Sequence, residues 1–339
     1  MHISFAAKTP SERTLNRLIV GLAVLLVVGV PALGIFYVLD RHVDPGPTLV
    51  QRQLSAAEEA VRAEPNKLSN RVVLAAAYMT AKRYDEAVNQ FTEVLKVEPG
   101  HRGALLGRGE AYLAVGNLDA ARADYQKLVD DARAGEMANV DPQLEAAYYN
   151  LGAIALKQDR PKDALGLLQA ATAINRTDAD ALNLLGTALL RTNDPKQAVE
   201  ALRRAILFVP TGWCEPYGQL HDAYTVLGDP AGAGYAGGMV AFCEGRPDEA
   251  RQMLGAIAAG PYVPDATLGL ALIAEDQGDL PAAVDLYSRV LALDPENFSA
   301  MGGLNRLGTA PASASPVPAG AASPAPTTPA GSPTAGGTN

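Results

Sequence analysis

A period of 34 residues constrains this chain more than any other feature. Its clearest copy runs Leu182-Asn183-Leu184-Leu185-Gly186-Thr187-Ala188-Leu189, then Ala198, Leu202, Ala205 and Pro210. Small and apolar residues recur there at three- and four-residue steps, the spacing of a buried helical stripe. The stripe breaks at Thr192-Asn193-Asp194-Pro195, and a second one follows. One period earlier the pattern reads Tyr148, Leu151, Gly152, Ala155, Ala164, Leu168 and Ala171. Glycine on the first helix and alanine on the second leave room for two helices to cross closely.

The period organises most of the chain. Repeats run about 68–101, 102–135, 145–178 and 179–212, with extra residues around Gly135 to Pro142 inserted as a loop or a helix extension. A degenerate repeat follows. Tyr217, Leu220 and Tyr224 keep its first helix, but its second, about 230–244, contains Gly232, Gly234, Gly237 and Gly238. Each interior glycine costs about 1 kcal/mol against alanine, so this helix is expected to be weak unless packing or a crosslink holds it. A further helix follows Gly245-Arg246-Pro247, then a last repeat at about 264–297 and a short closing helix with Phe298, Met301 and Leu304. Near the start, Leu49, Leu54, Ala57 and Val61 mark a helix ending at Pro65, one period before Pro99. It reads as the second half of a repeat whose first half is missing, capping the stack.

A fixed period of this length, with Leu-Gly on the first helix and Ala, large, Ala on the second, resembles the tetratricopeptide repeat (TPR) family. The resemblance covers about 48–308. It implies an all-α fold: a right-handed superhelical solenoid of antiparallel helix pairs, about five to six repeats plus capping helices. Arg176 departs from the family's terminal proline, and Ala155 and Leu189 from its first-helix tyrosine.

Residues 18–39 carry no charge. As a helix they span about 33 Å, enough for a hydrocarbon core of about 30 Å. Lys8, Arg13 and Arg17 precede the run, and Asp40, Arg41 and Asp44 follow it. The positive-inside bias puts residues 1–17 in the cytoplasm and everything after the single span outside. A cleaved signal peptide, cut after Val30-Pro31-Ala32, is the competing reading. Against it, Leu33 to Leu39 continue the apolar run past that point. Residues 40–47 form a proline-bearing spacer. Residues 309–339 are rich in Ala, Pro, Ser and Thr with no charge, the composition of a disordered tail.

The chain's net charge is -9, although its N-terminal leader is basic, so the body is acidic. An acidic body argues against nucleic-acid binding. His2, His42, His101 and His221 are scattered, and no Cys-x-x-Cys or haem-attachment motif occurs. No catalytic set, metal site, cofactor or small-molecule substrate is expected. Cys214 and Cys243 flank the Gly228-Asp229 turn at equal distance, so an antiparallel hairpin sets them side by side. In an oxidising compartment they are expected to form a disulfide worth about 3–4 kcal/mol.

The family resemblance implies a concave binding face built from first helices. Its positions carry Val72, Ala76, Thr80, Leu106, Glu110, Tyr149, Ala153, Lys157, Asn183, Thr187, Arg191 and Asp222. Glu110, Tyr149, Lys157, Asn183, Thr187 and Arg191 are the partner-binding candidates: an aromatic for packing, an amide for peptide backbone and cations for carboxylates. The expected function is a membrane-anchored scaffold holding a protein or peptide partner for assembly of a bacterial envelope complex. An accessory subunit of cytochrome c maturation or of a secretion system is the alternative. A non-catalytic subunit of an envelope enzyme is more remote.

Overall fold

The repeat shows in the backbone as a recurring turn. The computed structural model describes residues 12–41, 46–208 and 212–309, and among these it contains sixteen α-helices, one 3-10 turn and no strand. The first eleven residues of the expected leader, Asp44 and Pro45 of the spacer, the repeat-ending Pro210 and residues 310–339 of the expected tail lie outside the described residues.

Seven links between helices close alike. The first helix of each pair ends on a residue in the left-handed region: Lys82, Gly116, Asp159, Asn193, Gly228, Gly245 and Gly278, with φ between 54 and 78°. The next N–H then donates five residues back, as Arg83 to the Tyr78 carbonyl (2.8 Å) and Asp229 to the Tyr224 carbonyl (2.9 Å). This satisfies carbonyls that the helix end would otherwise orphan.

Two compact units divide within one helix, after Ala121. The first contains α1 (Glu12–Arg41), α2 (Leu49–Ala63), α3 (Leu68–Thr80), α4 (Tyr84–Val97), α5 (Arg102–Ala114) and the start of α6 (Leu118–Ala132). Helices α2 to α5 pack in chain order. Thr48 and Gln51 cap α2 reciprocally, at 3.2 and 2.8 Å. In α1, Val20–Tyr37 is apolar, long enough to cross a membrane and wholly unburied. A single span of this kind fits an anchor or a signal sequence.

The second unit holds the rest of α6, a 3-10 turn at Ala138–Val140 within the insert, and α7 (Pro142–Lys157), α8 (Pro161–Ile174), α9 (Ala179–Arg191) and α10 (Pro195–Phe208). It continues with α11 (Glu215–Leu227), α12 (Pro230–Cys243), α13 (Pro247–Gly255), α14 (Val263–Asp276), α15 (Leu280–Leu293) and α16 (Phe298–Arg306). Close crossings recur at a fixed spacing. A Cβ on Gly152 would stand 2.6 Å from Leu168, on Gly186 2.5 Å from Leu202, and on Gly238 2.8 Å from Leu254. Each leucine lies sixteen residues after its glycine.

In the 230–244 segment packing supplies the support that the glycines require. Helix α12 is continuous, and three of its glycines are filled by neighbours: Gly232 by Tyr224, Gly237 by Met253 and His221, and Gly238 by Leu254. The lost side chains permit contact, which offsets the propensity cost. Turns of the first-to-second type flank α12 on both sides, at Gly228 and Gly245. Helix α12 is therefore the second helix of α11's pair and the first helix of α13's. Short turns make consecutive helices antiparallel, so this shared helix reverses the stack. First helices α7, α9 and α11 run one way, and α12 and α14 run the other. The junction is aromatic. Tyr217 meets Tyr235 edge-on at 6.2 Å and Tyr224 meets Tyr262 at 5.3 Å. Arg203 of α10 donates to Asp265 of α14 at 2.9 Å.

Candidate functional site

The reversal leaves α7, α9 and α11 as one set of co-directional first helices. Two contacts fix their register. Arg191 Nη1 donates to the Leu156 carbonyl at 3.1 Å, and the Thr187 hydroxyl lies 3.1 Å from Gln219 Oε1. Tyr149, Asn183 and Glu215 therefore share one level. Ala153, Thr187 and Gln219 share the next, with Lys157 and Arg191 beyond them.

The predicted residues take different places in this frame. Lys157 is exposed and Tyr149 half-buried, its ring body packed against the core. Thr187 is half-buried, its hydroxyl also 3.1 Å from the Asn183 carbonyl. Arg191 is exposed, but its guanidinium holds the α7 C-terminus and lies 4.0 Å from Asp159. Asn183 is only 3% exposed, and its Oδ1 receives no hydrogen bond. Glu110 is exposed on α5 of the first unit.

Sequence reasoning missed an acidic group at the other end of the face. Glu145, on the first turn of α7, is buried at 9% exposure. Burial, and then the hydrogen-bonded Asp178 carboxyl beside it, push its pKa up to about 8. At neutral pH the pair shares a proton that Glu145 carries and donates to Asp178. Asp178 also caps α9, accepting from Ala181 N at 3.0 Å. Asp180 and Glu215 are exposed nearby. Burial first, then Asp180, Asp178, Glu145 and Glu215, raise the pKa of the Tyr149 hydroxyl above its ordinary value. The signal was present in the sequence: a carboxylate between Leu144 and Ala147, seven residues before Gly152 and so on its face of α7.

Cys214 precedes α11 and Cys243 ends α12. Both are half-buried free thiols. They are hydrogen-bonded to each other, and burial, then that contact, push Cys243 up to about 12. No bond joins them in the structure. Among the described residues no three His, Cys, Asp or Glu side chains form a metal-ligating group.

Comparison with known proteins agrees with the fold. One tetratricopeptide repeat model matches residues 72–136 and 235–298, and a second matches 155–220, together more than half of the chain. Similar curated proteins include the peptidyl-prolyl cis-trans isomerase FKBP4 of Homo sapiens, 32% identical over 72 residues, or 21% of this chain and 16% of that protein. The FK506-binding protein-like of Homo sapiens is 36% identical over 96 residues, covering 28% of this chain and 24% of that one. The chain thus spans a quarter or less of the length of these relatives. Among solved structures, MamA is 23% identical over 57% of this chain and 98% of its own, with a TM-score of 0.42. YrrB, described as a TPR protein with an unusual peptide-binding site, is 18% identical over 59% and 93%, with a TM-score of 0.46. The chain belongs to the tetratricopeptide repeat family, whose repeats build protein-binding scaffolds.

Proposed function

We propose that the protein is a non-catalytic, membrane-anchored scaffold. It holds an extended segment of a partner protein along the α7–α9–α11 face and supports assembly of an envelope complex. The observation that carries this reading is the register of three first helices, which lines half-buried polar groups along one face with carboxylates at one end and Lys157 and Arg191 at the other. Such a face offers hydrogen bonds to a peptide backbone and charge of both signs to its side chains. The apolar run Val20–Tyr37 supports a single-pass anchor with the repeats outside the cytoplasm. In that compartment Cys214 and Cys243 join, pinning α11 to α12.

The test is capture of crosslinked partners by the tagged full-length chain from cells. Lys157→Ala combined with Gln219→Ala lowers capture severalfold and leaves the melting temperature near the parent value. Equal capture by parent and variant overturns the groove.

A further inference from the structure

We propose that the acidic end of the α7–α9–α11 face is a notch for a basic side chain, lysine or arginine, of the bound peptide; this rests on the groove reading above. Four carboxyl groups stand at that end at graded depth, Glu145 against Asp178 and all four within electrostatic range of the Tyr149 hydroxyl. Asp180 and Glu215 are exposed, Asp178 is half-buried and Glu145 is buried. Graded depth suits a cation carried on a long apolar stem.

An independent observation points the same way. Asn183, nearly fully buried, has an Oδ1 that no donor reaches, and Glu145 Oε1 is buried and likewise without a donor. A helical side chain leans toward the N-terminus of its helix. Asn183 therefore leans toward the Asp178–Asp180 end of α9, at the level between Tyr149 and Glu215. Buried acceptors left without donors cost free energy, and a group bearing several N–H donors and no acceptor answers both. An ammonium or guanidinium is such a group. A metal ion is a poorer fit, since no ligating trio occurs among the described residues.

Binding carries a proton balance. In the free protein Glu145 is neutral and donates its proton to Asp178. The arriving cation replaces that proton, which leaves to solvent, so Glu145 becomes a carboxylate beside Asp178 and pairs with the cation. The groups facing this exchange are Asp178 and Asp180 of α9, Glu215 of α11 and the Tyr149 hydroxyl of α7. Lys157 and Arg191 lie about three helical turns away along the same face.

The experiment uses the full-length chain in lipid nanodiscs and a phage-displayed library of random peptides. The proposal expects enriched peptides to share lysine or arginine at one position. Replacing that residue by alanine weakens binding about tenfold or more, as does Glu145→Gln. Calorimetry of the unmodified protein at pH 7 in buffers of different ionisation enthalpy shows about one proton released per peptide. Asp178→Asn keeps the α9 cap and lowers that proton count. Peptides that need Lys157 and Gln219 but carry no shared basic residue, and release no proton, overturn the notch and leave the groove standing. No enrichment, or peptides indifferent to Lys157 and Gln219, overturns both.

Discussion

Gly238 and Leu254 touch so closely that a methyl on the glycine would come within 2.8 Å of the leucine side chain. Gly152 with Leu168, and Gly186 with Leu202, make the same contact at the same spacing. The crossing of a first helix is therefore present in α12, which also completes a pair with α11. One helix serves two repeats, and the face of α7, α9 and α11 ends there.

Substitution within α12 separates contact from propensity. Gly238→Ala must displace Leu254 and is expected to cost about 1–3 kcal/mol by overpacking. Nothing lies near a Cβ at Gly234, so Gly234→Ala is expected to stabilise by about 0.5–1 kcal/mol. Denaturant unfolding of both variants checks this. Equal effects at the two positions refute the close crossing.

The Glu145–Asp178 pair makes stability depend on pH in an unusual sense for a carboxyl group. Glu145 is shifted upward in the fold, to about 8. Below about pH 4 both folded and unfolded chains hold its proton. As pH rises toward 8 the unfolded chain releases the proton and the folded chain keeps it, so this group's contribution to stability falls. Glu145→Gln should gain about 1–3 kcal/mol relative to the parent between pH 5 and pH 8, after allowance for solvent screening. Chemical unfolding at both pH values measures it. A gap that shrinks with rising pH contradicts the shared proton.

The thiols of Cys214 and Cys243 already contact each other. Protein isolated from its membrane without reductant should show one disulfide-linked peptide pair by mass spectrometry, and Cys243→Ser should lower stability by about 3–4 kcal/mol under oxidising conditions alone. Rapid alkylation of both cysteines in the unreduced protein would falsify the bridge.

Helix α1 predicts membrane behaviour that fractionation can read. The chain should stay in the pellet through alkaline carbonate washing, and protease added outside the cytoplasmic membrane should digest the repeats. Release by carbonate, or full protection of the repeats, argues against the anchor or its orientation.

Much of the fold was legible because Gly152, Gly186, Leu168 and Leu202 mark helix crossings by residue type at a fixed spacing. The same marks were present at Gly238 and Leu254, but four glycines in one segment weighed as a propensity cost and hid the contact they allow. The site was less legible. Position along a first helix named Asn183 and Arg191, but depth and local hydrogen bonding decide what each offers. Asn183 is buried, and Arg191 is held by the Leu156 carbonyl. Glu145 was overlooked because its role comes from Asp178, a full repeat away in sequence.

The most direct measurement is photo-crosslinking in living cells, with a photoreactive amino acid placed at Lys157, Gln219 or Thr187 and, as a control, at the exposed Val226 of α11. The account predicts one common partner polypeptide joined from the three groove positions and absent from the control. A partner joined equally from Val226, or from none of the groove positions while capture by the intact chain persists, contradicts it.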